Sequence, residues 1–137
     1  MTKLEETILT LREKGYGCSQ AVAVALNREF HTIEVPEFVL KAATSGFRGG
    51  IGRTFDEGTC GALTGAVLAL GLMIDNESLS ADLSRQLFNE FKQKFGTVCC
   101  GRITDEHGHK RCNECCLFAG SNAAQLYQEA NAEHDLL

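Results

Sequence analysis

The sequence is poor in proline, has no excess of basic residues and contains no apolar segment long enough to cross a membrane. Its 13 Lys and Arg against 18 Asp and Glu give a net charge of −5, which argues against a general nucleic-acid binder with a basic face. The longest apolar run, residues 62–74, contains two glycines and a threonine and falls short of the roughly 20 residues that span a bilayer. Residues 1–14 are amphipathic, so no signal peptide is expected. The predicted location is therefore the cytoplasm, with neither nucleic acid nor membrane as a partner.

Apolar residues recur at helical spacing along most of the chain, which predicts an all-α fold. The single proline, Pro36, suits the first position of the third helix, and Ser78 suits the cap of the fifth. The fourth helix is apolar on nearly every side, which places it at the centre of a bundle. With 137 residues, the chain is predicted to form a single domain, residues 1–137, of about six helices. The predicted helices cover about 2–14, 18–30, 36–46, 59–74, 78–95 and 113–133.

A glycine-rich segment, residues 46–58, precedes the predicted central helix and has five glycines in thirteen positions. It fits neither the dinucleotide-binding pattern nor the P-loop pattern, so no nucleotide site is predicted. The glycines instead indicate a backbone that turns sharply or approaches another group closely. Arg48 and Arg53 are suited to holding an anion or keeping a nearby thiolate charged. A tight connection across the bundle is the favoured interpretation of the segment.

Seven cysteines carry most of the chemical information, at positions 18, 60, 99, 100, 112, 115 and 116. Structural disulfides are uncommon in the cytoplasm, so clustered cysteines there more often serve redox chemistry or metal binding. Cys18, Cys60 and Cys116 are predicted to lie in the first turns of their helices and to face the apolar stripes. The partial positive charge of a helix N-terminus stabilises a thiolate, so convergent N-termini would form one internal thiol site. The alternative for any one of these cysteines is that it packs in the core as a small apolar residue.

Residues 99–116 contain a second group of side chains that could bind a metal ion. Cys112 and Cys115 have the C-x-x-C spacing that lets two thiolates bind one ion, and His107 and His109 stand close by. Zinc is therefore one alternative, and an iron–sulfur cluster held by four cysteines is another. A solvated loop is the favoured interpretation of the two histidines. Haem attachment is set aside because no histidine follows the C-x-x-C.

Four separated blocks resemble the family named for its C_GCAxxG_C_C motif, which is described as redox-active. They are GYGCSQA at 15–21, GTCGALTGA at 58–66, FGTVCC at 95–100, and Cys116 seven residues before a pair of alanines. The blocks follow the family's order and cover the chain from residue 15 to about 129. The cysteines in the motif positions are Cys18, Cys60, Cys100 and Cys116. This chain has three cysteines in addition to the family's pattern, Cys99, Cys112 and Cys115. These additional cysteines favour metal binding.

The resemblance implies a helical domain with thiol-based or metal-based electron chemistry. The main prediction is a cytoplasmic redox protein, a thiol–disulfide oxidoreductase if it is an enzyme. In it, Cys60 or Cys18 attacks a disulfide or oxidised substrate, and Cys100 or Cys116 resolves the mixed disulfide. The alternative is a metal- or iron–sulfur-binding electron carrier or metal-storage protein, with these four cysteines as ligands and no substrate turnover. An unidentified redox partner is expected, and a homodimer is compatible with the family's bundle character.

Overall fold

Helices form the architecture of the chain in residues 1–32, 34–107 and 111–134, the part that the computed structural model describes. This part contains no strand, which confirms the all-α prediction. None of its helices is long and apolar enough to cross a bilayer. A short 3-10 helix, Ser45–Phe47, follows the third of seven α-helices: α1 (Lys3–Glu13), α2 (Cys18–Phe30), α3 (Glu37–Thr44), α4 (Gly61–Met73), α5 (Glu77–Phe95), α6 (Cys100–His107) and α7 (Cys112–His134).

Helix α4 lies at the centre of the bundle and packs against α2, α5 and α7, as its all-round apolar sequence predicts. Two glycines one turn apart, Gly61 and Gly65, allow α2 to approach closely. A Cβ at Gly65 would overlap the backbone of Ser19, and a Cβ at Gly61 would overlap the Cys18 sulfur. The first turns of α2 and α4 therefore lie side by side.

The ends of α3 and α5 follow local capping signals, with one correction. Pro36 precedes the first residue of α3, close to its predicted position. The predicted cap Ser78 is wrong, because the side chain of Asn76 accepts a hydrogen bond from the N–H of Leu79 at 3.0 Å. Gly96 ends α5 with a φ of 78°, a left-handed conformation that glycine adopts without steric cost.

Helix α6 corrects the sequence interpretation, which predicted no helix between residues 95 and 113. Its one large aliphatic residue, Ile103, gives the segment no periodic apolar signal. Ile103 is nevertheless buried, and the hydroxyl of Thr104 donates to the carbonyl of Cys100 at 2.9 Å. The described residues therefore form seven α-helices instead of about six, and Cys100 begins one of them.

The start of α7 is a second correction. Cys116 was predicted to lie in the first turn, but α7 begins at Cys112, which places Cys116 one turn further along. The apolar stripe identified the inward face of this helix correctly, since Cys116, Ala119 and Ala123 are fully buried. It did not identify the helix start, because the first turn contains polar residues, including Glu114, whose charge suits a helix N-terminus.

Candidate thiol site at four helix starts

Four cysteines line one cavity of about 210 Å³, and each stands at the start of a helix. Cys18, Cys100 and Cys112 are the first residues of α2, α6 and α7, and Cys60 is the N-cap of α4. Helix starts present unpaired N–H groups and a partial positive charge. The structure thus gathers three of the predicted site cysteines, and it adds Cys112, for which the sequence suggested only a metal-binding role.

The other three cysteines surround the cavity without lining it. Cys116 is fully buried, and its sulfur lies 3.9 Å from the carbonyl oxygen of Cys18, to which the thiol donates. Cys115 is also buried and hydrogen-bonds with the side chain of Cys60. Cys99 is half-buried, and its thiol donates to a loop carbonyl at 3.1 Å. All seven cysteines are free thiols, so no disulfide fixes their pairing.

Two buried polar residues fix the position of Cys18. The hydroxyl of Ser19 donates to the carbonyl of Thr44 at 2.7 Å, which ties α2 to the end of α3. Gln20 accepts from the N–H of Gly17 at 2.8 Å and donates to a carbonyl of α3 at 3.0 Å. Because buried polar groups need such partners, the sequence Cys18-Ser19-Gln20 anchors the first turn of α2 and aims its thiol at the start of α4.

A short backbone pairing brings Cys60 and Cys100 together. The segments that precede α4 and α6 form an antiparallel bridge. The N–H of Cys60 donates to the carbonyl of Val98 at 2.7 Å, and the N–H of Cys100 donates to the carbonyl of Gly58 at 2.8 Å. Two hydrogen bonds in opposite directions therefore hold the starts of α4 and α6 in register.

Three arginines line the same cavity as the thiols: Arg12, Arg48 and Arg53. The side chain of Arg12 donates to Asn113 at 2.9 Å and to a backbone carbonyl at 3.1 Å, so it joins α1 to the start of α7. The Arg48 side chain lies against Gly17, where a Cβ would overlap it. Within the described residues, none of the three arginines forms an ion pair with a carboxylate.

The glycine-rich loop closes over the cavity in a strained conformation. Arg53 and Phe55, which both line the cavity, have φ values of 60° and 54°. The left-handed region costs roughly 1–2 kcal/mol for a residue with a Cβ. The N–H of Arg53 donates to the carbonyl of Arg48 at 2.8 Å, and that of Phe55 to the carbonyl of Gly49 at 3.0 Å. The two unfavourable backbone conformations thus occur at the residues whose side chains lie in the thiol cavity. Backbone strain of this kind is common at functional sites.

Burial raises the pKa of two cavity thiols, and at one of them, Cys60, the N–H groups of a helix N-terminus oppose this effect. The hydrogen bond with Cys115 and then burial raise the pKa of Cys60 well above its ordinary value, whereas the N–H groups of Ala62 and Leu63 lower it. Burial also raises the pKa of Cys100 to about 12, with further contributions from neighbouring thiols. Both groups therefore keep their protons at neutral pH.

At the two α7 cysteines, the charge of Arg12 opposes the effect of burial on the pKa. Burial raises the pKa of Cys112 and raises that of Cys116 well above its ordinary value. The positive charge of Arg12 lowers both, so this arginine favours the thiolate forms. Cys18 differs from the other motif cysteines because it is the one that is not buried.

The predicted metal ligands do not form a common set in the described part of the chain. There, no three Cys, His, Asp or Glu side chains are placed to hold one ion. Cys112 lines the cavity, whereas Cys115 lies behind Cys60. His109 and the side chain of His107 lie outside the described residues. The zinc and iron–sulfur alternatives thus remain predictions that this arrangement does not favour.

The fold and the cavity define an all-α, cysteine-rich protein with its thiols gathered at helix starts. Residues 16–130 match the family model described as "Putative redox-active protein (C_GCAxxG_C_C)". Because the match covers most of the chain, the protein belongs to this redox-active family, as the sequence resemblance implies. No curated protein and no solved structure matches the chain significantly.

Sequence reasoning missed two residues of the cavity, Arg12 and Phe55. A signal existed for Arg12, which lies four residues after Ile8 and therefore beside the apolar stripe of α1. An arginine in that position can extend its apolar stem along the bundle and place its guanidinium at the bundle's end. Phe55 had no such signal, because its position depends on a left-handed backbone that a phenylalanine rarely adopts.

Proposed function

We propose that this protein is a cytoplasmic thiol–disulfide oxidoreductase in which Cys18 attacks and Cys100 resolves. The Cys18 thiolate forms a bond to one sulfur of the substrate disulfide, and the other substrate sulfur leaves as a thiolate. Cys100 then gives its proton to the first released substrate thiolate and attacks the Cys18 sulfur, which forms a protein disulfide and releases the second substrate sulfur as a thiolate that takes a proton from water. Two electrons and two protons pass to the substrate, and an external dithiol restores the protein.

The exposure of Cys18 on the cavity wall is the observation that carries this proposal. Of the four motif cysteines, Cys18 alone is not buried, so a substrate entering the cavity meets its sulfur first. It is the first residue of α2, where unpaired backbone N–H groups and the helix dipole interact favourably with negative charge. The raised pKa of Cys60 argues against the alternative that Cys60 attacks first.

The choice of Cys100 as the resolving cysteine rests on its place on the same cavity wall. Cys116, the other predicted candidate, is fully buried behind the backbone of Cys18. Cys100 instead lines the same cavity as Cys18, the thiol that it must attack.

Single-turnover kinetics with three serine variants test this assignment. Reduced protein is mixed with bis(2-hydroxyethyl) disulfide, and the species formed are followed by mass spectrometry. We expect Cys18→Ser to abolish the reaction at the cavity because the attacking sulfur is gone. We expect Cys100→Ser to complete the first step and to accumulate the mixed disulfide on Cys18.

Cys99→Ser is the matched control. Cys99 neighbours Cys100 in the sequence but does not line the cavity, and a serine hydroxyl can replace its hydrogen bond to the carbonyl of Asp56. This variant is expected to react at the rate of the unmodified protein. A Cys18→Ser variant that retains the full rate would refute the assignment.

A further inference from the structure

The charge of the cavity is opposite to that of the whole molecule. The chain has a net charge of −5, yet three arginines and no Asp or Glu occur among the described residues that line the cavity. A concentration of one charge sign in a cleft raises the local concentration of ligands of the opposite sign. The cavity is therefore suited to an anionic ligand.

The hydrogen bonds of the arginines leave this positive charge uncompensated. Arg12 donates to the neutral side chain of Asn113 and to a carbonyl, and within the described residues Arg48 and Arg53 have no ion-pair partner. A guanidinium binds a carboxylate through two parallel hydrogen bonds. Arg12 is already committed to holding the start of α7, so Arg48 and Arg53 are the two available for such a ligand.

The size of the cavity favours a small molecule. Its volume of about 210 Å³ suits a ligand of a few functional groups and not a folded domain. A folded protein substrate would need Cys18 on an open surface. Cys18 instead lines a cavity that Phe55 and the three arginines also line. The glycine-rich loop supplies both Arg48 and Arg53, and its strained φ at Arg53 keeps that residue at the cavity.

We propose that the substrate of this site is a small-molecule disulfide that carries carboxylates, with a carboxylate bound by Arg48 and Arg53 while the disulfide meets Cys18. This inference rests on the proposed thiol–disulfide function and names its substrate class. The exchange reaction is the one described above, and the carboxylates remain unchanged in it.

The test compares two disulfides of the same length, 3,3′-dithiodipropionate and its uncharged diamide. The rate constant of the reduced protein with the dianion is divided by its rate constant with the diamide. Dividing this value by the same ratio measured with dithiothreitol gives a corrected ratio, from which the intrinsic difference in reactivity between the two disulfides is removed. We expect the corrected ratio to favour the dianion. We expect Arg48→Gln or Arg53→Gln to lower it at least about tenfold, because each removes a charge-assisted hydrogen bond. The loss of an arginine also changes the reactivity of nearby thiols, but this affects both disulfides and cancels in the ratio.

Arg85→Gln is the matched control, because it causes the same change in net charge at an exposed site on α5 that does not line the cavity. It should leave the corrected ratio unchanged. If Cys18 reacts but the protein shows no preference for the dianion, or if Arg85→Gln lowers the ratio as much as the cavity variants do, the inference is overturned and the proposed function stands.

Suberate, which has two methylenes in place of the two sulfurs, tests the anion site without any redox step. It should slow the alkylation of Cys18 by uncharged iodoacetamide, while suberamide should not, and Arg48→Gln should remove this protection. A different outcome is that suberate still protects Cys18 from alkylation in a protein whose Cys18 reacts with no disulfide. In that outcome both the thiol–disulfide function and the substrate assignment fail, and the cavity is an anion site alone. Equal effects of suberate and suberamide contradict the anion site itself.

Discussion

At the scale of single residues, two opposing effects decide what each thiol can do. A helix start stabilises the thiolate, and burial destabilises it. For Cys60, the hydrogen bond with Cys115 and burial outweigh the N–H groups of the helix start, and for Cys100 and Cys112 burial is the largest cause, so all three pKa values are raised. Cys18 combines a helix start with partial exposure. A partly exposed motif thiol beside buried ones with raised pKa values suits attack by the first and later resolution by another.

The raised pKa of Cys100 predicts a pH dependence of stability. Folding raises its pKa from 9.0 to about 12, so the folded state holds the proton more tightly than the unfolded state does. This contribution is fully present below about pH 9 and is lost as the pH rises towards about 12. The free energy of unfolding in urea should therefore decrease over this range, and it should decrease less steeply in Cys100→Ser. Equal slopes for the two proteins would contradict the prediction.

At the scale of secondary structure elements, the contact between α2 and α4 determines how closely the thiols approach. Gly61 and Gly65 remove side chains from this contact, so the first turns of both helices meet through their backbones. Helix α4 was predicted from its apolar residues alone. Its glycines have a low intrinsic helix propensity, so local propensity does not explain their presence. The close approach explains why two glycines occur in the first half of a buried helix.

Substituting alanine at two positions of α4 separates close packing from helix propensity. A Cβ at Gly65 would overlap the backbone of Ser19, so Gly65→Ala should destabilise the protein by about 1–3 kcal/mol. Gly71 is exposed, and its nearest neighbour, the Ser80 hydroxyl, would lie 3.8 Å from an added Cβ. Gly71→Ala should therefore stabilise the protein by up to about 1 kcal/mol. Urea unfolding measures both effects, and destabilisation of similar size at both positions would argue against the close contact.

The same elements show what local sequence can and cannot predict. Helices α1, α2, α4 and α5 were predicted within about two residues, because each has a clear apolar stripe or core. Helix α6 was missed because Ile103 is its one large aliphatic residue. The start of α7 was misplaced because polar residues occupy its first turn. Local periodicity identifies buried faces, but it does not mark helix starts that lack an apolar signal.

At the scale of the whole molecule, the site results from the directions of four helices. The helix starts at Cys18 and Cys60 can be recognised locally, but the meeting of α2, α4, α6 and α7 depends on packing between segments far apart in the chain. The backbone pairing before α4 and α6, and the anchor at Ser19, supply the long-range contacts that fix this meeting. No local pattern contains that information, which is why Cys112 was assigned to a metal site.

Disulfide mapping after one turnover tests the central claim, a redox site shared by Cys18 and Cys100. The Cys99→Ser variant is reduced, treated with one equivalent of bis(2-hydroxyethyl) disulfide, blocked, digested and analysed by mass spectrometry. In this variant the peptide that contains position 100 reports Cys100 without interference from its neighbour. The account predicts a cross-link between the Cys18 and Cys100 peptides. A cross-link that excludes Cys18, or reaction without any intramolecular disulfide, would contradict it.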